Sequence, residues 1–310
     1  MKKLWIVCAL FVSAVMVLGS LNAAALSRMS GDFWTYDISA NVLGANITGT
    51  ATYTFERQDT VTVNGTSYPV NVMRVTGSLG GTVVLIVTLQ VNATVDGFVY
   101  ETQSGMSIAR VNATAWANTT IGIAPAQFRT SSVFGTLTSF SPPILSKFDP
   151  VSTKPGDAWS ESVYEGSRTV TVNGTETIVQ YANATTTYNV TTSDSLEQVH
   201  TAAGAFDCLK MNVSSGSQSG YALLWWSSDV GNFVMAKPYG NSSSSPLATI
   251  ILKDFSNKKS SSLLYIGIGV GVLVVALVIL AAVLLMRRRG KEPANIQQAP
   301  PTAPLAPPGP

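Results

Sequence analysis

A single histidine, His200, stands in a chain of 310 residues, shortly before Cys208. No site that needs two imidazoles can be built from it, so a zincin helix and a His-paired metal centre are excluded. A serine or cysteine triad would have to draw on His200, but no Gly-Xaa-Ser-Xaa-Gly elbow occurs. His200 and Cys208 read more simply as an exposed turn histidine beside a core cysteine. Asp157 with Glu161, or Asp207 with Asp229, could supply paired carboxylates, yet the acids are scattered and no spacing singles out a pair. Phosphate-cradling glycine loops and EF-hand patterns are missing too. No catalytic, cofactor-binding or metal-binding residue is assigned, and neither an enzyme nor a cofactor is expected.

The chain ends set the expected topology. Lys2 and Lys3, an apolar run and then Ala23, Ala24 and Ala25 have the layout of a secretory signal peptide over residues 1–25. Residues 263–286 carry no charge. As a helix they would reach about 36 Å, enough to cross a bilayer core of about 30 Å. Arg287, Arg288, Arg289 and Lys291 follow, which places the C-terminus in the cytoplasm and the ectodomain outside the cell membrane. The net charge of +2 comes from these ends; between residues 26 and 262 acids outnumber bases, so nucleic acid is not an expected partner. Gly267 and Gly271 have a spacing that would let two spanning helices pack as a homodimer. Residues 256–262 form a short linker. Residues 287–310 are basic and then rich in proline, an extended tail.

The remaining segment is rich in Thr, Ser, Val and Gly, a composition that favours strands. In residues 50–55, Ala51, Tyr53 and Phe55 share one face of an alternating strand. Residues 83–91 alternate likewise, with Val83, Leu85, Val87, Leu89 and Val91 on one face. Asn64-Gly65 and Asn173-Gly174 each divide such runs and suit two-residue hairpins. The expected fold is an all-β ectodomain of antiparallel hairpins, an open curved sheet or two similar halves over residues 26–145 and 146–255, plus one C-terminal transmembrane α-helix. The halves are suggested by Thr-Val-Thr-Val-Asn-Gly-Thr, found at residues 60–66 and 169–175, and by Gly31-Asp32-Phe33-Trp34 returning as Gly156-Asp157-Ala158-Trp159. The spacing between the markers differs, so reuse of a common hairpin turn is the other explanation.

Cys8 leaves with the signal peptide, so no disulfide can form within the ectodomain. Cys208 is then a buried core residue or, failing that, a reactive thiol or an intermolecular bridge. Asn-Xaa-Ser/Thr sequons begin at Asn46, Asn64, Asn92, Asn112, Asn118, Asn173, Asn183, Asn189, Asn212 and Asn241. They are more frequent than composition alone gives, and they make this an expected glycoprotein; the alternative is a by-product of Thr-rich strands. Of the aromatics, Trp34, Trp159 and Tyr239 read as core or edge packing. Trp225 and Trp226 point to opposite strand faces, so one of them is a candidate for a ligand face.

The run Val199-His200-Thr201-Ala202-Ala203-Gly204-Ala205-Phe206-Asp207-Cys208-Leu209-Lys210, followed by Trp225-Trp226-Ser227-Ser228-Asp229-Val230-Gly231, resembles uncharacterised extracytoplasmic β-rich proteins of bacteria and archaea. The resemblance covers about residues 155–252. It implies a glycine turn and strand leading to a tryptophan strand with a Val-Gly turn, in an open curved sheet like that of lipoprotein-carrier half-barrels. It implies no catalytic residues. The reading is a single-pass type I surface protein whose non-catalytic ectodomain contacts an envelope polymer, an S-layer or a surface protein partner. The alternatives are a tethered carrier or chaperone for a lipid held on the concave sheet, and a carboxylate-based hydrolase.

Overall fold

A computed structural model of the chain describes residues 29–42, 45–84, 88–103, 107–123, 126–149, 152–173, 176–215, 220–240 and 244–256. The expected signal peptide, residues 257–262 of the expected linker, the expected spanning segment at residues 263–286 with Gly267 and Gly271, and the tail lie outside the described residues, while Ser256 ends the last strand. Among the described residues no helix is long and apolar enough to cross a membrane.

The fold is all-β. Strands β1 (Phe33–Val42), β2 (Ala45–Val63), β3 (Thr66–Val84), β4 (Thr88–Thr102), β5 (Ile108–Ile123) and β6 (Ala126–Ile144) form the first run. After a connection come β7 (Ala158–Asn173), β8 (Glu176–Thr192), β9 (Glu197–Thr201), β10 (Gly204–Ser215), β11 (Gly220–Ser227), β12 (Asn232–Gly240) and β13 (Ala248–Ser256). All pairings are antiparallel. The order of the 13 strands runs β11-β12-β13-β1-β2-β3-β4-β5-β6-β7-β8-β10-β9, with β11 also bonded to β10. The ring therefore closes, and β9 stands outside it as the hairpin partner of β10.

Closure overturns the expected open sheet, and the reason is physical. An open sheet keeps two edges with unpaired N–H and C=O groups, whereas β10 hydrogen-bonds β8 on one side and β11 on the other through overlapping stretches, and no edge remains in the ring among the described residues. The concave cleft that a half-barrel carrier would offer is thereby converted into a lumen.

Period-2 patterning decides which side chains enter that lumen. On β1, Trp34, Tyr36 and Ile38 are buried between half-buried or exposed Thr35, Asp37 and Ser39. On β5, Val111, Ala113, Ala115 and Ala117 face in while Asn112, Trp116 and Asn118 are exposed. The β4–β5 wall is lined by small residues, and large ones come from elsewhere: Trp34, Tyr36, Tyr53, Phe140, Tyr188 and Phe233. Small opposite large is how side chains fill a barrel interior. The β6–β7 connection adds a plug, since Leu145 and Phe148 are fully buried and Phe148 stacks on Trp159 at 5.9 Å and meets Trp226 edge-on at 6.1 Å.

Beyond a bulge at Phe55–Arg57, the long β2–β3 hairpin carries a second cluster of Val61, Val63, Val70 and Val72, against which Phe98 and Tyr100 pack. Arg110 clips this hairpin to the barrel by donating to the Thr62 carbonyl at 2.9 Å and to Ser139 Oγ at 3.2 Å. The hairpin turns with positive φ at Asn64 and Gly65, as Asn-Gly requires.

Residues 83–91 are not one strand. β3 ends at Val84, β4 begins at Thr88, and Val83 faces Leu89 across the hairpin. Odd-numbered residues pair with odd-numbered residues there, so alternation in the sequence alone does not reveal the reversal.

The two repeated markers behave differently. Asp32 and Asp157 each accept a hydrogen bond from the backbone three residues back, Met29 N at 2.9 Å and Lys154 N at 2.7 Å, and Gly31 and Gly156 both have positive φ. These two strand starts are built alike. The heptapeptides are not equivalent: the first runs from β2 through the Asn64-Gly65 turn into β3, whereas the second stays in β7 as far as Asn173, which pairs with Glu176 and so does not form the expected Asn-Gly turn, and its last two residues lie outside the described residues.

Candidate functional site

The hairpin β9–β10 and the pair β11–β12 bring together the residues of greatest chemical interest. Gly204 opens β10 directly after the β9–β10 turn with φ 137°, and Gly231 lies in the β11–β12 turn with φ 61°. On β11, a bulge between Trp225 and Trp226 helps bury both indoles on different neighbours. Trp226 packs inward against Phe148. Trp225 sits beside Lys210, its cross-strand partner on β10.

Trp225 is nevertheless 5% exposed, because charged side chains cover it. Its Nε1 donates to Glu197 Oε2 at 2.8 Å, and Lys210 Nζ donates to Glu197 Oε1 at 2.9 Å. The ammonium groups of Lys210 and Lys237 lie 5.3 and 5.5 Å from the ring centroid, within cation–π range. Partial burial alone would raise the Glu197 carboxyl; the hydrogen bonds from Trp225 and Lys210 and the Lys210 charge outweigh it and hold it below the usual carboxylate range. Nearby, the cross-strand pair Tyr221 and Tyr239 stacks at 4.8 Å with rings 5° from parallel. Desolvation, then Tyr221, pushes the Tyr239 phenol up. Lys210 is neutralised by Glu197, while no ion pair joins Lys237 to an acid among the described residues. The outcome is a half-buried aromatic surface carrying one uncompensated cation.

The two expected ligand-face candidates part here. Neither Trp225 nor Trp226 lines an open concave surface: Trp226 belongs to the lumen filling, and Trp225 is roofed by lysines on the outside. Tyr239, expected as packing, stands half-buried beside them. The sequence reading missed Glu197, Lys237 and Tyr221. Their signal was register, since Tyr221 and Tyr239 end strands joined by one turn and face each other only once that pairing is known.

The carboxylates do not converge. Asp157 is exposed and caps Lys154. Glu161 is buried in the barrel, accepting hydrogen bonds from Leu145 N and from Ser146 Oγ. Burial pushes its carboxyl up despite those bonds. Glu165, two residues beyond Val163 on the same face, is raised by desolvation alone. Tyr188 is raised by burial and then by Glu165 and Glu161. Asp207 and Asp229 are exposed. His200 is exposed on β9, opposite Ala205. Cys208 is a free thiol, fully buried, and donates to the Phe206 carbonyl at 3.3 Å. Burial first, then Asp207, Glu197 and Asp229, pushes it up to about 12. Among the described residues no group of acids, cysteines and histidines could hold a metal ion.

The sequons share one disposition. Asn46, Asn64, Asn92, Asn112, Asn118, Asn183, Asn189 and Asn212 are all exposed, and Asn64 lies in a turn while the others lie on strands. Asn71 and Asn232, which start no sequon, are buried. The side chain of Asn173 and all of Asn241 fall outside the described residues.

No family model and no curated protein matches the chain. Among solved structures, a Bacteroides fragilis protein described as exported, with a YmcC-like fold, aligns with 76% of this chain and 100% of its own, at 13% identity and a TM-score of 0.30. No residue role is carried across from it.

Proposed function

We propose that this chain is a membrane-anchored cell-surface protein whose non-catalytic ectodomain binds an acidic envelope polymer through the outer face of β10–β12. The observation that carries the reading is Lys237, held 5.5 Å from the Trp225 ring with no ion-pair partner among the described residues, beside the stacked Tyr221 and Tyr239. Aromatic faces stack on sugar rings, and a cation held in a partly desolvated setting interacts with an anion more strongly than one in bulk water. The filled lumen favours recognition on the outside. The separation of His200, Cys208 and the scattered acids supports a role without catalysis. The apolar residues 263–286, with the arginines behind them, supply the anchor.

The test is native affinity electrophoresis of the detergent-solubilised full chain through gels containing alginate or dextran. Alginate, and not dextran, should retard the protein, and Lys237→Ala should abolish the retardation. Equal migration in both gels would remove this reading.

A further inference from the structure

The outer face holds a second site that the lysine patch does not use. Asn92 on β4 and Asn118 on β5 are cross-strand partners, and both are exposed. They line a shallow groove of about 340 Å³ together with Trp116, Thr48, Thr94 and Ser78, and no charged residue lines it. Trp116 is 42% exposed, with its neighbours Ala115 and Ala117 turned inward. An indole left this open on a barrel with a well-filled core is a platform without an intramolecular use. Gly80 forms part of the floor: a methyl group there would come within 3.0 Å of Asn92 Oδ1.

Both asparagines begin sequons, and the strand period puts each acceptor and its hydroxyl on the same outer face. In Asn92-Ala93-Thr94 and Asn118-Thr119-Thr120 the middle residue is buried, at 3% and 1% exposure. Asparagine is depleted in strands, so two facing each other beside an exposed tryptophan call for an explanation that strand propensity does not give.

We propose that Asn92 and Asn118 form one N-glycan acceptor site, which carries a single glycan at a time with its first sugars seated in the groove against Trp116. The inference rests on the surface-protein reading, which brings the chain past a membrane transferase. In the transfer, an asparagine Nδ2 bonds to C1 of a sugar carried on a polyprenyl-phosphate donor. The C1–O bond breaks, the lipid phosphate leaves with the electron pair, and the amide proton passes to a base of the transferase. Strands lie about 4.8 Å apart, so two glycans would crowd two sugar rings into one strand spacing. The paired backbones of β4 and β5 keep both sequons in the ladder once folded, so modification precedes their pairing, and a chain modified at both asparagines could not close this strand pair and would be lost before reaching the surface.

The test uses the full chain made in an N-glycosylating secretory host and extracted from membranes. Glycans are released enzymatically in heavy-oxygen water, and occupancy is read on the tryptic peptides 75–110 and 111–129 by tandem mass spectrometry. The occupancies of Asn92 and Asn118 should sum to no more than one per chain. Asn118→Gln should raise occupancy at Asn92. Trp116→Ala should leave occupancy unchanged and speed native glycosidase release several-fold, since the sugars lose their seat. A sum well above one, or release unaffected by Trp116→Ala, overturns the proposal. Bare Asn92 and Asn118 on a chain that reaches the surface also overturns it and leaves the surface reading standing. A chain retained inside the cell without glycans overturns both.

Discussion

Trp225 and Glu197 belong to strands that each pair with β10 and not with one another, yet the indole donates to the carboxylate at 2.8 Å. That bond ties the β9–β10 hairpin to the body of the barrel and fixes the ring that Lys210 and Lys237 cover. Glu197→Ala leaves the Trp225 N–H without its acceptor and Lys210 without its ion pair. A loss of about 1 kcal/mol is expected, at the low end for a buried donor left unpaired because Glu197 is partly solvated. Urea denaturation checks it. Since the Glu197 carboxyl is lowered in the fold, its contribution is present above the unfolded carboxylate range and lost as pH falls through its folded value, so the variant should lose less stability on acidification than the parent.

Glu165 gives the opposite sign. Desolvation raises its carboxyl above the unfolded value, so the fold favours the protonated form. The associated stability is complete below the unfolded value and is lost as pH rises through the folded one. Glu165→Gln removes that loss, and its melting temperature should exceed the parent's at pH 7 while the two converge toward pH 4. A variant less stable at pH 7 would contradict the assignment of Glu165 to the lumen face.

Phe148 is the centre of the plug, stacked on Trp159 and edge-on to Trp226. Phe148→Ala should cost about 3–5 kcal/mol, the usual range for deleting a buried aromatic ring. Tryptophan fluorescence should shift to the red as water reaches Trp226. If Phe148 instead covered an open cleft, the loss would be small.

Gly97 faces Ala113 across β4 and β5, where an added methyl would lie 2.3 Å from the Ala113 Cβ. Gly97→Ala must push the two strands apart and should destabilise by about 1–3 kcal/mol. Gly65→Ala meets no atom within 4 Å, and its cost comes from the positive φ alone, which separates crowding from backbone strain in one comparison.

Cys208, buried and pushed up to about 12, has almost no thiolate at neutral pH. The folded chain should resist maleimide and run as a monomer on non-reducing gels, and labelling should become rapid in denaturant. A thiol-sensitive dimer would show that Cys208 reaches the surface.

Strand content and facing were legible because period-2 patterning is local: Ala51 and Tyr53, and the middle residues of the strand sequons Asn92-Ala93-Thr94 and Asn189-Val190-Thr191, point inward as alternation requires. Applied to residues 112–118, the same rule would have placed Trp116 outward. Closure was not legible, because nothing in β10 shows that one strand serves both β8 and β11. The Trp225 surface was hidden for a related reason. Its members come from β9, β10, β11 and β12, and only the register brings Glu197 to the indole. Only the first heptapeptide uses its Asn-Gly as a turn, since Asn173 of the second is still paired in β7, whereas Gly-Asp-Xaa-Trp encodes a capped strand start at both β1 and β7.

The surface reading is tested most directly by labelling intact cells with a membrane-impermeant amine reagent and mapping the modified lysines. Lys147, Lys154 and Lys253, outside the membrane in this account, should be labelled on intact cells, and Lys291 only after permeabilisation. Labelling of Lys291 on intact cells, or of none of the barrel lysines until the membrane is opened, would contradict it.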